Sequence, residues 1–322
     1  IILYYFSRQK IEKKIKLQIL RTMSKYSSIF LKSKNMKKNA TRDISYASSA
    51  QSVAGRAVIR SIENITGRIG LIKRAADYEL EVASSARSFW EVMVDRYHLQ
   101  LDILSGKLAN IPKHGPLLVV SNHPYGILDG LILGYILSKT RGDFRILAHR
   151  VFKRAEDLNK IILPINFDDS REAALQNIDT RKKALKYLKE GGCIGIFPGG
   201  TVSTALKPFG KAMDPSWKKF TARLISKSDA NVVPIYFEGS NSRLFQIASH
   251  IHYNLRMALL IKEFKRRIDD KVKVVIGTKL QRSQLEDRME DPNLMMAFLR
   301  HETYKLSMDP SQSFDFGFEF EI

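Results

Sequence analysis

Beginning near Pro112, short apolar and β-branched runs alternate with longer stretches of helical periodicity. Pro116 to Val120, Phe144 to Ala148, Ile161 to Ile165, Cys193 to Phe197, Val232 to Phe237 and Val272 to Ile276 read as strands. Between them, Leu128 to Ser138, Arg171 to Glu190 and Trp217 to Ser226 read as helices, the second closed by Gly191-Gly192. Strands without polar alternation, separated by helices, predict an α/β fold with a mostly parallel central sheet covered by helices. Ligands of such sheets gather beyond the carboxyl ends of the strands.

Upstream, residues 45–108 predict an N-terminal helical cap of two or three helices. Ile59, Ile62, Ile65 and Ile69 keep a three-to-four spacing, as do Tyr78, Val82, Ala86, Phe89, Met93 and Tyr97. Before it lies a basic arm over residues 1–44, read as disordered or as an amphipathic helix with Ile11, Ile15 and Ile19 on one side. The chain starts without Met, which makes Met23 or Met36 a candidate start. Residues 308–322 form an acidic, aromatic tail that no pattern explains.

The charge balance narrows the partners. The chain carries a net charge of +20, and its first 42 residues hold twelve Lys or Arg against the single acid Glu12. Such an excess suits an anionic membrane surface, an acidic carrier protein or nucleic acid. No apolar run reaches the length of a membrane span, so no transmembrane helix is expected. The lone cysteine, Cys193, sits in an apolar run and reads as a buried thiol. The seven His show no ligand spacing, so no metal site is expected, and neither Gly-x-Ser-x-Gly nor a nucleotide-binding glycine fingerprint occurs.

Chemistry concentrates past two strand ends. After Leu117-Leu-Val-Val120 the chain runs through Ser121-Asn122-His123, turns at Pro124-Tyr125-Gly126 and enters a helix near Asp129. A His beyond a strand and an Asp at a helix start can meet across that turn. The carboxylate then fixes the tautomer and steadies the imidazolium formed when the other nitrogen takes a hydroxyl proton. The second segment is Phe197-Pro198-Gly199-Gly200-Thr201-Val202-Ser203, whose glycines let the backbone approach a ligand and whose hydroxyls can donate to it. The third is Val233-Pro234-Ile235, a strand with an early Pro.

In this order the segments resemble the lysophospholipid acyltransferase family, which includes the glycerol-phosphate and lysophosphatidate acyltransferases. In that family Asn-His, four residues and Asp supply the catalytic pair, Phe-Pro-Glu-Gly-Thr-Arg-Ser binds the acceptor, and a later block carries Val-Pro. The resemblance spans roughly residues 110–280 and labels residues 109–307 as the acyltransferase domain. It implies that His123 is the general base and Asp129 its orienting partner. It likewise implies that Asn122, Gly126, Phe197, Pro198, Gly199, Gly200, Thr201, Ser203 and Pro234 form the substrate pocket. Arg171 or Arg181 stands in for the family's phosphate-binding Arg. No cofactor is implied beyond acyl-CoA or acyl carrier protein as co-substrate, and transfer to the acceptor hydroxyl is direct.

Three departures distinguish this chain. Five residues, not four, separate His123 from Asp129, a form similar to the branch of hemolysin-like proteins and ornithine-lipid acyltransferases. Gly199 replaces the Glu of the acceptor block, and Val202 replaces its Arg. The second change removes a bidentate phosphate ligand and counts against a phosphate-bearing acceptor. The expected acceptor is a lysophospholipid-type lipid, with lyso-ornithine lipid as the alternative. The expected location is peripheral, on the cytoplasmic side of the membrane. The non-enzyme alternative is a basic protein that binds lipid or nucleic acid.

Overall fold

The computed structural model describes residues 45–149, 156–166 and 170–320. The expected basic arm over residues 1–44 lies outside them. Residues 44–322 form one compact unit. Four helices open it: α1 (Val53–Thr66), α2 (Arg68–Ala75), α3 (Tyr78–Ser84) and α4 (Phe89–Arg96). Two of their starts are written in the sequence. Ser52 caps α1 by accepting from the Gly55 amide, and Ser88 and Glu91 form a reciprocal box on α4.

The cap does not end in helix, as its periodicity predicted. Gln100–Ser105 form β1, which pairs in parallel with β9 (Lys271–Ile276) at one edge of the main sheet. Gln-Leu-Asp-Ile-Leu-Ser alternates as well as it spirals, and the neighbouring β9 decides between the two. This strand belongs to the same sheet as the segments that follow, so no structural boundary falls at residue 108.

The rest of the main sheet comprises β2 (Leu117–Ser121), β3 (Phe144–His149), β4 (Ile162–Ile165), β5 (Cys193–Ile196) and β8 (Asn231–Phe237). Two further short strands, β6 (Thr204–Ala205) and β7 (Ala212–Met213), form a separate antiparallel ladder. The seven-stranded order is β1-β9-β8-β2-β5-β3-β4. β8, β2, β5, β3 and β4 run parallel, while β9 is antiparallel to β8 and brings β1 with it. The expected mostly parallel sheet is present, with a reversed pair at one edge.

Helices cover both faces. They are α5 (Ile127–Thr140), α6 (Glu156–Asn159), α7 (Arg171–Lys189), α8 (Phe220–Ile225), α9 (Arg243–Ile251), α10 (Tyr253–Arg266), α11 (Arg282–Glu286) and α12 (Pro292–Tyr304). Alternate residues of β2 serve alternate faces. Leu117 and Val119 join the core under α4 and α5, while Leu118 and Val120 join the core under α7, α8 and α12. All four are fully buried, which is why the strand reads as one apolar run. The Cys193 thiol is buried in β5, and desolvation pushes its pKa up to about 12, so it is a packing residue.

The chain leaves β2 for β3 in one direction along the sheet and leaves β5 for β8 in the other. Divergence of this kind opens a crevice beyond the carboxyl ends of adjacent strands. Val120 pairs with Ile196, and Ser121 with Ile235, so the loops after β2 and β5 emerge side by side.

Candidate active site

The loop after β2 is built around Asp129, the third residue of α5. Its side chain is fully buried, and Oδ2 accepts from the Tyr125 amide at 2.8 Å and the Gly126 amide at 3.0 Å. Gly126 has φ +90°, a conformation that a side chain would strain, and this lets the turn fold its amides back onto the carboxylate. Nδ1 of His123 lies 2.9 Å from the same oxygen. A carboxylate on Nδ1 fixes the proton there and leaves the lone pair on Nε2. Among the described residues Nε2 has no hydrogen-bond partner, and the side chain stays 19% exposed.

Electrostatics within the pair are opposed. Burial pushes the Asp129 carboxyl above its ordinary pKa, while the His123 contact and the two amides pull it back. Oδ1 is buried with no partner among the described residues. The helix start adds a partial positive charge that favours the ionised form.

The loop after β5 is joined to this one. The Phe197 ring stacks on the His123 imidazole with centroids 4.3 Å apart, and the Ser203 amide donates to the His123 carbonyl at 2.8 Å. Between these two anchors the double glycine turns, with Gly200 at φ +71° and its amide donating to the Phe197 carbonyl at 3.1 Å. Asp214 clamps both loops from below. Its fully buried carboxylate accepts from the His123 amide at 3.2 Å, from the Ser203 hydroxyl, and from the Trp217 indole at 2.9 Å. That last bond holds Trp217 ahead of α8, which starts at Phe220 and not at Trp217 as its spacing predicted. A close approach of the carboxylate to the glycine completes the clamp, since a Cβ on Gly199 would stand 3.2 Å from Asp214 Oδ2.

An acyltransferase family model matches residues 60–312, most of the chain. The chain belongs to the acyltransferase family. This acyltransferase is also 29% identical over 228 residues to a lyso-glycine lipid O-acyltransferase of Phocaeicola vulgatus, covering 67% of this chain and 79% of that one. A lyso-glycine lipid O-acyltransferase of Bacteroides thetaiotaomicron is 27% identical over 206 residues, covering 62% and 73%. Among solved structures, the 1-acyl-sn-glycerophosphate (LPA) acyltransferase PlsC of Thermotoga maritima aligns with a TM-score of 0.39 at 16% identity, over 80% of this chain and 85% of that one.

At the candidate site, the residues named from sequence divide into two groups. His123, Asp129, Gly126, Phe197, Pro198, Gly199, Gly200, Thr201 and Ser203 fall in the two joined loops. Asn122 is 2% exposed and joins both ends of its amide to the Phe237 backbone, at 2.9 Å and 2.7 Å, so it ties the end of β2 to β8. Pro234 lies in mid-strand opposite Val120, below the mouth of the sheet, where its carbonyl accepts from the Gly277 amide.

The two candidate arginines are also placed elsewhere. Arg171 is the first residue of α7, beyond β4, which is three strands from β2 or about 14 Å across the sheet. Arg181 lies ten residues further along the helix, about 15 Å towards its other end. No described contact brings either to the His123 loops.

A cation that the sequence reading passed over does reach them. Arg256 of α10 is 1% exposed and donates from Nη2 to the Thr201 hydroxyl at 3.0 Å and the Val202 carbonyl at 2.8 Å. A signal existed: Arg256 stands four and eight residues before Leu260 and Phe264, on the buried face of its helix. Asp214, in a short irregular stretch, carried none.

Among the described residues, no helix is long and apolar enough to cross a membrane, and no cluster of His, Cys, Asp or Glu could hold a metal ion.

Proposed function

We propose that this acyltransferase moves a fatty acyl group from an acyl thioester, of coenzyme A or acyl carrier protein, to the hydroxyl of a lyso-lipid. The reading rests on one observation: a buried carboxylate holds His123 by Nδ1 while Nε2 stays open beside the double-glycine loop. Nε2 takes the proton as the acceptor oxygen attacks the thioester carbonyl. The tetrahedral intermediate collapses, the carbon–sulfur bond breaks, and the proton passes to the leaving thiolate. The Gly200 amide is committed to Phe197, and the neighbouring Gly199 amide, which has no acceptor among the described residues, is assigned to the developing oxyanion.

Two features favour an amino-acid lipid as acceptor over a phosphate-bearing one. Val202 occupies the position of the family's Arg. The two similar proteins above are both named for lyso-glycine lipid. Lyso-ornithine lipid shares the free carboxylate and is the nearest competitor. The reaction takes place peripherally, at an anionic membrane surface on the cytoplasmic side, where both thioester donors are found; nucleic acid is not a partner.

Purified protein is incubated with long-chain acyl-CoA or acyl carrier protein and with lyso-glycine, lyso-ornithine or lysophosphatidate acceptors, and ester products are read by mass spectrometry. Lyso-glycine lipid is expected to be acylated fastest. Transfer to none of the three would overturn the reading. His123→Ala should lower the rate by about 10³-fold or more, and a variant that keeps its rate removes the imidazole from the mechanism.

A further inference from the structure

The environment of Arg256 is unusual for a buried cation. Among the described residues no carboxylate pairs with it, and all its hydrogen-bond acceptors are neutral. Nη1 donates to Thr204 Oγ1 and Ser249 Oγ, and Nη2 to Thr201 Oγ1 and the Val202 carbonyl. Phe245 and Phe320 lie over the guanidinium at 5.0 Å and 4.3 Å. Burial disfavours the charge and brings its pKa down to about 10, which still leaves it ionised at neutral pH. A charge buried without a counter-charge is costly, and neutral acceptors compensate it only in part.

Its direction matters as much as its burial. Val202 occupies the position where the family pattern has Arg, and Arg256 donates to Val202's own carbonyl from a helix 54 residues further along. Beside it, Thr201 is half-buried, as Gly200 before it is, and the buried Val202, Ser203 and Thr204 follow. Because Nη2 donates to Thr201 Oγ1, the hydroxyl oxygen is the acceptor in that bond, and its own proton is free to donate outward. Thr201 is two residues from Ser203, whose amide holds the His123 carbonyl, so it lies within about 7 Å of chain from the general base's own loop.

We propose that Arg256 is the specificity-determining residue for the acceptor headgroup: it aims the Thr201 hydroxyl outward and places a positive charge behind it, so that the site selects a carboxylate. The inference rests on the amino-acid-lipid reading above and deepens it. Arg256 acts through Thr201 and is a positioning residue, not a catalytic one. A neutral residue at the same place would still pack against Phe245 and Phe320, but it would not distinguish a charged headgroup from an uncharged one of the same shape.

The test compares binding of an N-acylglycine with that of its N-acylglycinamide, equal in chain length, by titration calorimetry below the critical micelle concentration. Wild type is expected to prefer the carboxylate by about tenfold or more. Arg256→Gln and Thr201→Val should each bring the ratio to about one, while Arg256→Lys keeps part of it. In acyl transfer the same changes should raise KM for the carboxylate acceptor with little effect on kcat.

A ratio near one in wild type overturns the proposal, as does an unchanged ratio in folded Arg256→Gln. If Arg256→Gln does not fold, the half-buried Thr201→Val decides the matter by the same ratio. Binding is read without turnover. A protein that acylates no lyso-lipid therefore removes the proposed function, while the binding ratio still judges Arg256.

Discussion

Asp129 places the enzyme's needs and the fold's needs in opposition. The proposed mechanism needs a carboxylate against Nδ1 of His123, yet that carboxylate is fully buried with one oxygen unpartnered among the described residues. Asp129→Asn keeps the shape and one amide-accepting oxygen but loses the charge. Acyl transfer is expected to fall by about 10²- to 10⁴-fold. Stability should respond differently. Burial raises the folded pKa above the ordinary 3.8, so the folded protein holds this proton more tightly than the unfolded chain does. This tighter proton binding favours folding below pH 3.8 and is lost as pH rises through the raised value. Wild type minus Asp129→Asn should therefore be most favourable in acid and shrink towards neutrality, as read by urea unfolding at several pH values. A difference that grows with pH would show that the imidazole and amides outweigh burial. The contact within the pair was legible in the sequence, because only five residues separate its members and the turn between them is short. Arg256 and Asp214 were not legible as site residues. The contacts that bring them to the site, Arg256 with Thr201 and Asp214 with His123, span 55 and 91 positions, and no local pattern encodes such a meeting.

Between elements, the site depends on the registration of two strand-end loops. Strand order brings them out side by side, and Asp214 locks them together. Asp214→Ala leaves the His123 amide, the Ser203 hydroxyl and the Trp217 indole without their acceptor, each at about 1–3 kcal/mol. Denaturant unfolding should show a loss of about 3 kcal/mol or more, and kcat/KM should fall with it because the His123 ring no longer sits squarely on Phe197. Unchanged stability would mean that the loops hold their places by other contacts. The strands and helices from Pro112 onward were readable because their apolar runs are dictated by burial on both sides. Residues 100–105 were misread because an edge strand with half-exposed residues has a weak period. The acidic, aromatic tail was unreadable for another reason. Its order comes from distant backbone, the Gly317 amide donating to Asp214 and the Phe318 amide to Thr204.

At the scale of the whole molecule, the proposed function sets an excess of positive charge beside a substrate that resides in a bilayer. The net charge is +20, and the first 42 residues carry twelve of the Lys and Arg. Each cation near an anionic lipid surface contributes about 1 kcal/mol, and the attraction is screened by salt. Raising ionic strength from about 0.05 M to 0.5 M shortens the Debye length from roughly 14 Å to roughly 4 Å. Co-sedimentation with vesicles containing about one-third anionic lipid should accordingly fall steeply over that range, and neutral vesicles should retain little protein at any salt. A chain beginning at residue 45 keeps the compact unit and should bind the same vesicles at least tenfold more weakly. Duplex DNA provides the discriminating control, since it offers phosphate charge without an apolar phase for a lipid acceptor. Should duplex DNA at equal phosphate concentration strip the full chain from the vesicles, electrostatics alone would account for retention. Persistence of binding against DNA would instead require contact with the bilayer itself, as an enzyme drawing its acceptor from that surface must make.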